Sequence, residues 1–256
     1  MRGSIQRALR RYAEKDGRGY PDWALRYLPI LRRFRGRPWA SQRLLEIGAN
    51  ENGLARFTGA PVVAIDIALE HLKAARATQP VWPVVADIGA LPFADDAFDV
   101  VVCMDTYEHI PNAHRDLANE EILRVLQRDG VGVIGFPSGE ASSEAETRVR
   151  TAYRVLTGGT IKWLEEHVDM GLPEGDVIAG HLQSVAGDNY DIETGGNASL
   201  WAWEWMWKIL MCNWPGRGNA LAQVLLRWSV PVLSRLHRGP CYRAMVWILP
   251  RGVRRG

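Results

Sequence analysis

At 256 residues, 47% hydrophobic and 23% charged, the chain is sized and composed for one α/β domain with elaborations or two small domains, not for a disordered or fibrous protein. The net charge of +2 hides three blocks: 12 Lys/Arg against 3 Asp/Glu in residues 1–45, 10 against 26 in 46–204, and 9 against none in 205–256. Cys103, Cys212 and Cys241 stand far apart and form no CxxC pair, so they suggest neither a disulfide framework nor a cysteine zinc site and point to the cytoplasm; neither a signal peptide nor an uninterrupted apolar run of transmembrane length is expected.

Residues 4–15 and 22–35 read as basic helices separated by "DGRGYP", and residues 1–42 as a basic N-terminal arm. From residue 43 the pattern alternates. "RLLEIGA" is a strand, and residues 52–59 start a short helix. "PVVAIDI" is a strand, followed by a helix from about Ala68 to Thr78. "VWPVVADI" and "FDVVVCMD" are strands, and a helix through "AHRDLANEEILRVLQ" leads to the strand "GVGVIGFP". Continuous apolar strands alternating with helices predict a doubly wound, Rossmann-like parallel sheet covered on both faces. Beyond Pro137, residues 143–167 read as helix and "YDIETGGNA" as a strand. Residues 199–214 and 219–238 read as helices of an apolar insertion at about 199–238 and "CYRAMVWIL" as a last strand, so the α/β domain of 43–256 closes with an antiparallel C-terminal edge.

Glu46, Asp66 and Asp87 end three successive strands, where such sheets bind ligands in a crevice. The first strand runs into "LLEIGANENGL", which keeps Gly48 and Gly53 but carries Asn50, Glu51 and Asn52 between them. Glu46 and Glu51 would repel a pyrophosphate and tolerate a cationic nucleoside. Asn50 and Asn52 can take left-handed backbone angles at modest cost, so the loop can turn without all its glycines.

Residues 43–137 resemble the class I S-adenosylmethionine-dependent methyltransferases, in their broad small-molecule group. "LLEIGANENGL" is similar to the first motif, with Asn50 and Asn52 where glycines are usual. "AIDIA" resembles the ribose motif. "ADIGALPFADDAFDVVVCMDTYEHI" resembles the third-strand acid, the approach to the fourth strand and the Glu-His after it, and "EILRVLQRDGVGVIGFP" the helix and fifth strand. The resemblance implies S-adenosylmethionine as cofactor. It also implies that Glu46, Gly48, Asn50 and Gly53 shape the loop around the methionine part and that Asp66 holds the ribose hydroxyls. Ile67 would lie against the adenine, with Asp87 accepting from its amino group and Ile88 giving a backbone contact. Met104 and Asp105 would border the transferable methyl.

His109, with Glu108 beside it, is the nearest base to an oxygen or nitrogen acceptor, since histidine titrates close to cell pH. Asp105, Glu108 and His109 also resemble the acid-x-x-acid-His set of the ubiquinone-pathway O-methyltransferases, which use a divalent ion. Relatives carry the Glu-His with no metal, and the sequence reading assigns none. His114 reads as a surface helix residue, while His167 and His181 lie in the substrate-side region. "WLEEHVDMGLP" is similar to a segment of bacterial methyltransferases of glycan or lipid-linked sugar pathways. These features predict methyl transfer, favouring oxygen, to a small-molecule or lipid-linked acceptor.

"LWAWEWMWKILMCNW" alternates like a strand but is composed like a helix. Its tryptophans and the basic wings suit an anionic membrane surface at the inner face, with a homodimer contact as the competing use. Basic residues mixed with bulky apolar ones, and no known nucleic-acid module, exclude nucleic acid as a partner. The alternative to an enzyme is a catalytically silent protein of this fold at a membrane surface.

Overall fold

The computed structural model describes residues 21–211, 224, 225, 228, 229, 232, 233, 235 and 239–252. The element order is α1 (Pro21–Arg33), β1 (Leu44–Ile47), α2 (Leu54–Thr58), β2 (Val62–Asp66), α3 (Leu69–Thr78), β3 (Val81–Val85) and β4 (Phe98–Met104). A 3-10 turn over Tyr107–His109 then leads to α4 (Asn112–Val125), β5 (Leu126–Pro137), α5 (Gly139–Thr157), α6 (Lys162–Met170), α7 (Gly175–Ala186), β6 (Tyr190–Ser199), α8 (Leu200–Met211) and β7 (Cys241–Pro250).

The seven strands make one sheet in the order β3-β2-β1-β4-β5-β7-β6. β1 to β5 pair in parallel, and β7 runs antiparallel to both neighbours. The edge strand on that side is therefore β6, with the C-terminal strand one place inside it. Alternate residues feed two cores. Leu44, Val62, Val100, Val102 and Val133 face α1, α2 and α3, whereas Leu45, Ile65, Val101, Cys103 and Ile134 face α4 and α7. Both sets are almost fully buried, which is why the strands lack a polar alternation.

α1 belongs to this packing. Ala24, Tyr27, Ile30 and Phe34 recur at helical spacing and join the first core, and Tyr27 stacks on Phe57 at 4.9 Å between ring centroids. A third core unites Leu25 with α5, α6, α8 and Tyr242, and Trp203 lies flat on Tyr242 at 3.6 Å. The alternating tryptophans are helical: Trp203 is fully buried, while Trp201 and Trp205 are exposed.

Several details depart from the sequence reading. Residues 143–167 form two helices separated at 158–161, and α7 was not anticipated. The expected helix over 4–15 lies outside the described residues, as does most of the one over 219–238. The wing cations are partly used inside the fold: Arg26 and Arg243 pair with Asp105, Arg33 with Glu193 and Arg43 with Asp99. Cys103 is buried and, like Cys241, carries no disulfide. Among the described residues no helix is long and apolar enough to cross a membrane.

Candidate active site

β1, β2, β3 and β4 all end at one cleft of about 1080 Å³. A parallel sheet opens there because β1 sits between β2 and β4, so the chain leaves it in opposite directions at their carboxyl ends.

At β1 the loop turns on Gly48, whose φ is +74° and whose added Cβ would stand 2.0 Å from the Thr106 hydroxyl oxygen. Only glycine meets both demands without a shift. Among the described residues the positive-φ non-glycines are Asp96, Asp105 and Ala198, so Asn50 and Asn52 do not adopt the left-handed angles expected of them. They hold the loop by hydrogen bonds instead. Asn50 Oδ1 accepts from the Asn52 amide, Asn52 Oδ1 accepts from Arg56, and the Asn50 carbonyl accepts from Gln79.

Glu46 stands behind this loop and outside the cleft lining. It is 1% exposed, and its Oε1 accepts from the Tyr27 hydroxyl at 2.6 Å and the Leu54 amide at 2.8 Å. Gly53 also lies behind: a Cβ there would come 2.2 Å from Glu46 Oε2. Met104 is likewise buried beneath the cleft floor. All three fall on the covered side of a strand end or turn, where the Glu46 and Met104 side chains pack inward and Gly53 leaves room for the Glu46 carboxyl.

Burial pushes the Glu46 carboxyl up to about 7, although its two hydrogen-bond donors pull the other way. Since the folded value exceeds the ordinary 4.5, the proton is held more tightly in the folded state. This stabilisation is complete below the unfolded value and is lost as pH rises through the folded one, about 3 kcal/mol in all. Glu46→Gln should therefore gain roughly that much on the wild type between about pH 4.5 and about pH 8. Urea denaturation at both pH values measures it; parallel pH profiles for the two proteins would contradict it.

On the β2 and β3 side, Asp66, Ile67, Asp87 and Ile88 all line the cleft. Asp66 Oδ1 accepts from the Ala68 amide at 2.7 Å, and Asp87 Oδ1 from the Gly89 amide at 2.7 Å; each turn fixes its carboxylate at the strand end. Ile67 is 74% exposed, an apolar surface on the cleft wall.

At the end of β4, Asp105 takes a φ of +49° and is clamped by a paired hydrogen bond from Arg243 Nε and Nη2, both at 2.7 Å. Arg26 Nε lies 2.9 Å from its Oδ2. Arg243 Nη2 and Arg26 also donate to Asp22, which closes a four-member network of two cations and two anions. The two arginines hold Asp105 below the usual carboxylate range against the opposing effect of its burial.

Glu108 and His109 line the cleft beyond Asp105, and His167 of α6 joins them there. Glu108 is 1% exposed; burial and then the Asp105 charge push its carboxyl well up. Burial and then His167 lower His109. His114 also reaches the cleft wall, although the sequence places it on a surface helix; His181 does not line the cleft and sits 3.1 Å from Asn119 Nδ2. Trp163, Trp203, Trp207 and Tyr242 complete this end.

Asp22, Trp23 and Arg26 of α1, Tyr242 and Arg243 of β7, and Trp163 of α6 also line the cleft, and none is marked by a local motif. The one usable signal is the spacing of Asp22, Arg26 and Tyr27 on an amphipathic helix, which the basic charge of the N-terminus hides.

Residues 45–134 match the family model described as a methyltransferase domain. No curated protein matches this sequence. Among solved structures, the partner of the Haloferax volcanii Trm112 methyltransferase activator is 14% identical, with a TM-score of 0.54 over 94% of this chain and 97% of that one. Phosphoethanolamine N-methyltransferase 2 of Haemonchus contortus, solved with S-adenosyl-L-methionine, is 19% identical with a TM-score of 0.58. That match covers 87% of this chain and 51% of the enzyme, so the chain spans about half its length. The [4+2]-cyclase SpnF is 16% identical, with a TM-score of 0.55 over 88% of this chain and 80% of that one.

The cleft fits S-adenosylmethionine, the cofactor of that family. Gly48 lets backbone approach a ligand where a Cβ would collide, two carboxylates stand at the ends of β2 and β3, and no pyrophosphate-binding run of glycines is present. The matched segment and the order of the sheet it lies in together support a class I S-adenosylmethionine-dependent methyltransferase domain over residues 45–134.

Proposed function

We propose that the protein transfers the methyl group of S-adenosylmethionine to a hydroxyl oxygen of a small or lipid-linked acceptor. The observation that carries this is the continuity of one cleft, from Asp66 and Asp87 at one end to Glu108, His109 and His167 at the other. Its volume of about 1080 Å³ lies just above the range of about 300–1,000 Å³ for pockets that hold one drug-sized molecule. It leaves room for an acceptor beside the donor.

The donor supplies an electrophilic methyl carbon on a cationic sulfur. Asp66 binds the ribose hydroxyls, Ile67 lies against the adenine, Asp87 accepts from its amino group, and Ile88 gives a backbone contact. Gly48 and Asn50 border the methionine part. Glu46, Gly53 and Met104 act on the ligand only by holding this wall, and Asp105, tied to Arg243 and Arg26, fixes the floor between donor and acceptor. Glu108 and His109 contact the acceptor hydroxyl, whose proton passes to this pair as its oxygen takes the methyl and S-adenosylhomocysteine is left, and the tryptophans beside them exclude water. The main demand on the chain is alignment of acceptor and methyl at about 3–3.5 Å.

Incubation with methyl-labelled cofactor and fractionated cell extract tests this reading. Label in an O-methyl product is expected; label on nitrogen contradicts it. Cofactor binding with no labelled product from any fraction would favour the silent alternative.

A peripheral membrane position is supported by Trp201 and Trp205, 58% and 60% exposed on α8, with Lys208 lying 5.4 Å from the Trp205 ring. Rings at the headgroup level with a cation beside them favour an anionic surface. Flotation with anionic vesicles should carry the protein at low salt and fail at high salt. Absence of flotation at low salt contradicts this, and self-association detected by sedimentation would assign the face to a homodimer.

A further inference from the structure

We propose that Glu108, His109 and His167 form a binding site for a first-row divalent transition-metal ion. One ligand atom of each lies within 4.8 Å of the other two. Glu108 is 1% exposed and His167 4%, and both Glu108 Oε2 and His167 Nε2 are buried without a hydrogen-bond partner. Each such orphan costs about 1–3 kcal/mol unless something satisfies it. One cation between them satisfies both.

The surroundings prepare His167 as a ligand. Its Nδ1 lies 2.9 Å from Glu146 Oε1, and the Tyr242 hydroxyl donates to the same oxygen at 2.6 Å. A carboxylate only accepts, so Nδ1 carries the hydrogen and the unpartnered Nε2 keeps a free lone pair. A carboxylate behind a histidine is the usual support of a metal-binding imidazole. His109 is the most exposed member: its side chain is 39% exposed, its Nδ1 lies 3.5 Å from Glu166 Oε2, and its ring centroid is 5.0 Å from that of His167. A modest rotation brings the three atoms to the spacing of a tetrahedral ion, with ligand bonds of about 2.0–2.2 Å.

Asp105 is not part of the set, because Arg243 and Arg26 occupy it. His167, 58 residues beyond His109 and on another helix, takes that place. Two imidazoles and one carboxylate favour zinc, iron, cobalt or manganese over magnesium or calcium. Three protein ligands leave a position open to the cleft, which an acceptor oxygen would fill. Only this last point rests on the methyl-transfer reading.

The test is titration of the full-length, chelator-treated protein with Co2+ alone, followed by its visible absorption, and with Zn2+ against a chromophoric chelator. One ion per chain is expected. His109→Ala and His167→Ala should abolish or greatly weaken uptake, Glu146→Gln should weaken it about 10- to 100-fold, and His114→Ala should leave it unchanged. If His167→Ala does not fold, the half-exposed His109→Ala decides. No uptake by the wild type at sub-millimolar Co2+, or uptake unaltered in His109→Ala, overturns the proposal. S-adenosylhomocysteine binding by the same samples shows separately whether the donor site stands.

Discussion

Arg243→Ala should lower folding stability by about 3–5 kcal/mol, the usual cost of removing one partner from a buried ion pair. Arg243 is 1% exposed and meets Asp105 with two hydrogen bonds and Asp22 with a third. Its loss would leave two buried carboxylates sharing Arg26. Asp105 also holds a backbone conformation, φ +49°, that a non-glycine residue adopts only when its surroundings enforce it. Arg243→Lys should recover only part of the loss, because an ammonium cannot make the paired contact. Urea denaturation measures both variants. A loss under about 1 kcal/mol for Arg243→Ala would mean that the network has the small energy of exposed ion pairs.

Asp66→Ala should weaken S-adenosylhomocysteine binding about 10- to 100-fold, from the roughly 1.5–3 kcal/mol of hydrogen bonds to a charged group. Asp66 also receives the Ala68 amide, so the variant removes a turn contact as well as a ligand contact. Thermal unfolding of the unliganded variant separates the two: the turn is local and the core residues Ile65 and Leu72 stay buried on either side of it. Affinity equal to wild type would remove Asp66 from the donor site.

Much of this architecture was legible because its signals are local. β1 to β5 are apolar runs of strand length, and their strand-end acids sit at positions readable without coordinates. β7 was legible in the same way and β6 less so, because Tyr190–Ser199 is mostly polar; which of them forms the edge depends on pairing, which a linear pattern does not state. α7 escaped because "GDVIAGHLQSVA" contains two glycines and follows "MGLPE", so it reads as loop; packing of Ile178 and Leu182 on the sheet outweighs that composition. The Asn50 and Asn52 angles were misjudged because side-chain hydrogen bonds to Arg56 and within the loop met the need assigned to backbone geometry.

The site was legible where it follows strand ends and illegible where it joins distant elements. Arg243 and Asp105 are 138 residues apart, and Arg243 and Asp22 221. No local spacing links such residues. The same holds for His167, whose partner Glu146 lies on the preceding helix. Charge blocks misled in the same direction: Arg26 and Arg243 count toward basic wings in the sequence, yet both pair with Asp105 of the middle segment and with Asp22 of the first.

Calorimetric titration of the wild-type protein with S-adenosylhomocysteine is the most direct test of the donor cleft. The account predicts one site per chain, with heat that disappears when Asp66 and Asp87 are both replaced by alanine. Absence of binding at millimolar ligand, from protein shown to be folded, would contradict it.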